Sequence, residues 1–276
     1  MVVRIIKSAN LRVWTIVIER PEVRNAVDGP TATALHQTFL SFENDTKANV
    51  AILYGKGGNF CSGADLKALS YRSEHDDGQS NIVTEPSTLD RFEIGPMGPT
   101  RLRLSKPSIA AIEGYAVAGG LELAIWADLR VVSEDATFGV FCRRWGVPLI
   151  DGGTIRLPRL IGQSRALDMI LTGRPVLAQE AYDIGLANRI VPKGSTLKEA
   201  MKIAELMSSF PQQCMRSDRI STLQQWNCHE INNDNEGYAL KNEYDHGKDV
   251  LKEAIIGASK FRDGAGRAGS FDEFRK

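Results

Sequence analysis

Along the chain, apolar residues gather into short unbroken blocks separated by polar, glycine-rich or helically patterned stretches. Residues 12–19 contain Val13-Trp14-Thr15-Ile16-Val17-Ile18, which predicts a strand, and Val50-Ala51-Ile52-Leu53-Tyr54 predicts a second, buried one. Between them Asp28-Gly29-Pro30 opens a helix in which Leu35, Phe39 and Phe42 recur at helical spacing. Past a glycine cluster at 55–63, Ala64 to Leu69 is helical in pattern. Residues 70–100 are polar, broken by Gly and Pro and weakly periodic, which reads as a long loop or insertion. A second strand-turn-helix unit has Ser108 to Ile112 as strand, Glu113 to Gly120 as turn and Leu121 to Ala127 as helix, with a third strand over Asp128 to Ser133. From residue 196 the pattern is helical, through Leu197 to Met201 and Asp249 to Phe261, before a Gly- and charge-rich tail at 262–276. Strands alternating with helices argue for an α/β layered core over 1–195, with 196–276 as a helical appendage for packing or oligomerisation.

Composition narrows the class. A chain of 276 residues with 42% hydrophobic and 25% charged side chains buries a sizeable core. Its 34 Lys+Arg balance 34 Asp+Glu, so it lacks the basic field that nucleic acid or an anionic membrane would require. A small anionic ligand needs only a few local cations. Cys61, Cys142, Cys214 and Cys228 form no CxxC pair, which fits reduced thiols in a cytosol-like compartment and argues against zinc. No apolar stretch reaches the length of a membrane span and no secretory leader precedes Val13, so the chain reads as cytoplasmic and complete at its start.

Several motifs carry nothing. Gly264-Ala265-Gly266-Arg267-Ala268-Gly269 spells GxGxxG, but no strand precedes it, and a dinucleotide fingerprint needs a βαβ context. His36, His75, His229 and His246 are scattered, each in a polar or helix-surface setting, and nothing favours a Ser/His/Asp triad. The informative pair is Gly57-Gly58-Asn59-Phe60-Cys61-Ser62-Gly63-Ala64-Asp65-Leu66 and Gly114-Tyr115-Ala116-Val117-Ala118-Gly119-Gly120-Leu121-Glu122-Leu123. Each follows a buried strand and precedes a helix. Small residues there admit a ligand close to the backbone, and the first amides of a helix lack intrahelical partners and can donate to an anionic oxygen. Either turn alone would read as a tight connection; two in one domain can make a two-donor oxyanion site.

These residues resemble the enoyl-CoA hydratase/isomerase (crotonase) family. Ile109-Ala110-Ala111-Ile112-Glu113-Gly114, then Ala118-Gly119-Gly120 and Leu121 to Leu129, fit its signature, and Phe60 to Lys67 resembles its other hallmark. Glu19-Arg20-Pro21 through Asn25-Ala26 resembles its N-terminal segment. The resemblance spans roughly 10–265 and is poor over 70–100. It implies a crotonase-like spiral of ββα units with a helical C-terminal trimerisation region, a homotrimer or dimer of trimers. It also implies an acyl-CoA substrate, with coenzyme A as part of that substrate and no metal or redox cofactor. By position, the amides of Ala64 and Gly119 would form the oxyanion hole. Arg24, Ser62, Asp65, Leu66, Gly120 and Cys142 would contact substrate or its CoA portion, as would Phe261 of a neighbouring subunit.

The acid and base groups must then decide the reaction. The resemblance places the first of the two hydratase glutamates on Glu122 and the second on Cys142. A thiol, with an ordinary pKa near ~8.5 and weak hydrogen bonding, is a poor partner for a catalytic water, which argues against two-glutamate hydration. Asp151, in Gly146-Val147-Pro148-Leu149-Ile150-Asp151-Gly152-Gly153-Thr154, matches the acidic residue of dienoyl-CoA isomerase-like members. Its apolar flanks predict a raised pKa. Alternatively Asp151 is a helix N-cap and Glu122 a structural carboxylate. The expected activity is carboxylate proton transfer on an enoyl-CoA, with isomerisation ahead of hydration and thioester hydrolysis third. A non-catalytic CoA-binding scaffold is the reading from another class.

Overall fold

The computed structural model describes residues 2–71, 92–225 and 245. Its elements run β1 (Val3–Lys7), β2 (Val13–Ile18), α1 (Gly29–Asn44), β3 (Val50–Gly55), α2 (Leu66–Tyr71), β4 (Ser108–Ile112), β5 (Tyr115–Val117), α3 (Gly119–Trp126), β6 (Leu129–Ser133), β7 (Thr137–Gly139), α4 (Gly153–Ile161), α5 (Gln163–Thr172), β8 (Val176–Leu177), α6 (Ala178–Asp183), β9 (Arg189–Val191), α7 (Thr196–Ser209) and α8 (Gln212–Gln224). One sheet has the order β1-β2-β3-β4-β6-β9, a second the order β5-β7-β8. In the first sheet only the β1–β2 pair is antiparallel. Every residue of β2 and β4 is buried, as parallel strands covered on both faces require. β1 is an edge strand with four exposed positions, Ile5 and Ile6 among them.

The helix expected at Asp28 starts there for the reason read from the sequence: the Asp28 carboxylate accepts the Thr31 N–H at 2.9 Å. The buried face of α1 presents Phe39, whose ring meets Trp126 edge-on at 4.8 Å and Phe42 at 6.5 Å. Burying one such ring contributes about 1.5–3 kcal/mol. His36 lies on the same face and departs from the surface setting read for it. It is buried, with Nε2 2.7 Å from the Phe92 carbonyl oxygen, on a helix face that the chain around Gly98 also covers, at Ala32 and Leu35.

Two of the expected boundaries shift. α2 begins at Leu66, since Asp65 caps it by accepting the Lys67 and Ala68 amides at 3.1 and 3.4 Å. The Glu113–Gly120 turn contains β5, which pairs in parallel with β7 at a distant point in the chain, a pairing invisible to local pattern. Glu113 itself braces the start of α7, accepting the Gly194 amide and the Thr196 amide and hydroxyl. The expected helix at Asp249–Phe261, the GxGxxG tail, His75, His229, His246 and most of the 70–100 stretch lie outside the described residues.

The chain divides into two compact units. One comprises Met1–Leu104 with Ser108–Ala204 and contains both sheets. The other comprises Ser105–Pro107 and the chain from Glu205 onward, with α8 as its described helix. No described helix is long and apolar enough to cross a membrane.

Candidate active site

β3 and β4 are parallel neighbours, so the segments leaving their C-terminal ends emerge side by side, where open α/β sheets bind ligands. The Phe60 amide donates to the Glu113 carbonyl, Cys61 to Tyr115, and Val117 back to Cys61, so residues 60–61 run as an extra strand beside β5. This brings the two glycine turns into contact. A Cβ on Gly63 would lie 2.9 Å from the Ala118 Cβ and 3.0 Å from the Gly119 nitrogen. Gly120 plays a packing part, since a Cβ there would collide with the Cys61 carbonyl.

Ala64 and Gly119 both line a cavity of about 100 Å3 in the first unit. Among the described residues, neither backbone N–H has a hydrogen-bond acceptor. Gly119 is the first residue of α3, so its amide is one of the donors a helix leaves unpaired, at the positive end of the dipole. The chain reaches it through Ala118 at φ 54° and ψ −127°, a conformation that costs a residue with a Cβ about 1–3 kcal/mol. Two unpaired amides at one cavity wall can hold an oxygen that gains negative charge.

Glu122 and Asp151 line the same cavity and are both buried. Oε1 of Glu122 accepts the backbone amides of Asp151 at 2.9 Å and Gly153 at 2.8 Å. Only glycine fits at 153, because a Cβ would lie 2.8 Å from that oxygen. Oδ1 of Asp151 accepts the Met97 amide at 2.9 Å and the Thr100 hydroxyl. The N-cap alternative for Asp151 therefore fails: α4 starts from Gly152 in the left-handed region with no side-chain cap. Burial, reinforced by the Asp151 charge, pushes the Glu122 carboxyl up to about 8. Burial also raises Asp151, opposed by the Thr100 and Met97 hydrogen bonds and by Arg101 and Arg156. The Arg156 guanidinium donates to the carbonyls of Asp151 at 2.8 Å and Thr100 at 2.7 Å, tying the two walls together.

Cys142 lines the cavity too, and its thiol is raised by burial and then by Glu122, so it stays protonated near neutral pH. Ser62 and Leu66 stand at the same wall as Ala64. Arg24 and Asp65 lie in the strap leading to it. The Arg24 carbonyl accepts the Ser62 amide at 3.0 Å and its guanidinium lies 5.9 Å from the Tyr115 ring centre. Asp65 pairs with Arg20 at 3.1 Å. Phe261 is outside the described residues. Sequence reasoning missed Met97 and Thr100, inside a stretch read as loop, and Trp145 in the 3-10 turn Phe141–Trp145. Arg156 carries no motif of its own, and only the fold reveals these four.

A family model described as enoyl-CoA hydratase/isomerase matches residues 8–227. The chain is 36% identical over 201 residues to enoyl-CoA hydratase EchA19 of Mycobacterium tuberculosis, covering 70% of each. It is also 36% identical over 210 residues to carnitinyl-CoA dehydratase of Salmonella typhimurium, covering 74% of each. Among solved structures, an enoyl-CoA hydratase from Mycobacterium tuberculosis H37Rv aligns with a TM-score of 0.79 at 30% identity, over 94% of this chain and 96% of that one. One from Bacillus anthracis aligns at 0.80 and 27%, over 95% and 96%. The expected crotonase-like α/β fold with a helical C-terminal region is the fold observed. Signature, site geometry and these likenesses agree, and the chain belongs to the enoyl-CoA hydratase/isomerase family of enzymes.

Proposed function

We propose that the chain moves a proton along the acyl chain of an enoyl-CoA, shifting its double bond, with the thioester oxygen held by the amides of Ala64 and Gly119. The observation that carries this reading is the pairing of Glu122 and Asp151 in one cavity with those two amides, while Cys142, at the position expected for the second hydratase glutamate, offers only a thiol. Starting from a 3-enoyl thioester, the ionised carboxylate takes a proton from C2. The electrons move into the thioester carbonyl as a dienolate, and the protonated carboxyl returns a proton at C4, leaving a 2-enoyl thioester. Losing one oxyanion donor in such a step typically costs about 3 kcal/mol. Arg24, Ser62 and Leu66 hold the CoA portion in this reading, and subunits assemble as trimers or dimers of trimers.

Hydration, or its reverse, is the second reading, favoured by relatives named hydratase and dehydratase. There Glu122 and Asp151 hold a water whose oxygen adds to C3 of a 2-enoyl thioester, the same oxyanion site holds the resulting enolate, and the water's proton is delivered to C2. Turnover of trans-2-enoyl-CoA and 3-enoyl-CoA by the wild type and Asp151→Asn separates the two. Isomerisation of the 3-enoyl thioester, cut about 10²–10⁴-fold in the variant, supports the first reading. Hydration alone supports the second, and wild-type isomerase rates in Asp151→Asn would sink the first.

A further inference from the structure

Each cavity carboxylate has one oxygen occupied by two donors and one left over, and the donors differ in kind. Glu122 is held by two main-chain amides, which no substitution of their own side chains removes. Asp151 is held by one main-chain amide, from Met97, and by the hydroxyl of Thr100. Thr100 is 1% exposed, sits in the short Pro99–Arg101 turn, and lines no part of the cavity itself. Its surroundings are shaped for this contact: a Cβ on Gly95 would collide with the Thr100 Oγ1 and lie 3.0 Å from Oδ1 of Asp151. The Thr100 carbonyl is bound in turn by Arg156, which also binds the Asp151 carbonyl. Thr100 and Asp151 are thus joined twice, directly and through one guanidinium.

We infer that Thr100 is a positioning residue: its hydroxyl, with the Met97 amide, holds Oδ1 of Asp151 as an acceptor, so that the carboxylate enters the reaction ionised with Oδ2 as the proton-accepting atom. This rests on the proposed proton transfer and assigns its direction, with Asp151 as base and Glu122 as acid. A hydroxyl that donates stabilises the charged acceptor. The groups facing Asp151 are Glu122 from α3, Arg101 from the same turn as Thr100, and Arg156 from α4; Cys61 interacts with it as well. Arg101 is engaged by Glu93 at 3.1 Å, and the close neutral donors on Oδ1 are the Thr100 hydroxyl and the Met97 amide, of which a side-chain substitution removes only the hydroxyl. Glu122 lacks a hydroxyl donor, and burial raises its carboxyl to about 8.

The test compares wild type, Thr100→Val, Thr100→Ser and Asp151→Asn by the pH dependence of kcat/KM and kcat. Thr100→Val removes the hydroxyl and keeps the shape. It is expected to shift the acid limb upward, so kcat falls about tenfold on that limb and recovers to within about twofold on the plateau, with KM little changed. Thr100→Ser should restore the wild-type profile. An unshifted acid limb in Thr100→Val, or a Thr100→Ser variant as impaired as Thr100→Val at every pH, would overturn the inference and leave Thr100 a packing residue. Failure of the underlying reading shows separately, as an Asp151→Asn variant that keeps wild-type turnover.

Discussion

The main chain of Asp151 is bound to the side chain of Glu122: its N–H donates to Oε1 at 2.9 Å. The two acidic residues of the cavity are therefore one structural unit, with the 151–153 segment hung on a carboxyl that burial keeps protonated far above its ordinary range.

That arrangement makes stability depend on pH in a definite direction. The Glu122 pKa rises from 4.5 unfolded to about 8 folded, so its contribution is fully present below about pH 4.5 and is lost as pH climbs to about 8. The loss is on the order of 5 kcal/mol, and Asp151, also raised, acts in the same direction. Denaturant titrations at pH 5 and pH 9 should show the wild type weaker at pH 9. Glu122→Gln, whose amide oxygen can still accept both main-chain N–H groups, should lose most of that difference. Equal slopes in the two proteins would contradict it.

Gly63→Ala is expected to damage catalysis more than folding. The new methyl meets the Ala118 Cβ at 2.9 Å at a position held at φ +100°, so the two turns must separate and misplace one amide. A loss of about 10²–10³-fold in kcat follows if one donor is displaced. Gly58→Ala, also at positive φ but with open space around it, is the control for backbone strain alone. Matched kcat values in the two variants would refute the idea.

Met97 lies over Gly119, with its Sδ 2.6 Å from where a Cβ on that glycine would stand, and it is 1% exposed while lining the cavity. Met97→Ala should cost about 2–5 kcal/mol of stability. It should also shift kcat/KM toward bulkier acyl chains, read from a chain-length and branching series of enoyl-CoA substrates. A uniform drop across the series would assign Met97 to packing alone.

Cys142→Ala should keep turnover within about threefold, because a thiol raised above its ordinary pKa is a poor nucleophile. Mass spectrometry of the wild type during turnover should find no acyl adduct on Cys142. A trapped thioester there would reverse the assignment and make the cavity an acyl-transfer site.

The sequence carried the parts of this site that are local. Buried parallel strands show as apolar blocks, so β2, β3 and β4 were legible, as were the turns bearing Ala64 and Gly119. Asp28 capped the helix it was expected to cap. What was illegible depends on distant pairing: β5 forms only because Thr137–Gly139 returns alongside it. Met97 and Thr100 reach Asp151 together from a segment some fifty residues earlier in the chain, and Arg156 reaches back from α4, with no motif to announce them. His36 reads as a surface residue until the fold brings the Phe92 carbonyl to it.

Positions 63 and 118 share a final consequence. Ala118 already holds a backbone angle that suits few residues, and its methyl occupies the space a side chain at 63 would need. Between them the two positions accommodate a single methyl group. Replacing Ala118 by Gly would remove one close contact but leave the Gly119 nitrogen at 3.0 Å and the φ of +100° at Gly63, so it does not make room for a side chain there. The seam therefore has room only for the smallest residues at these two positions.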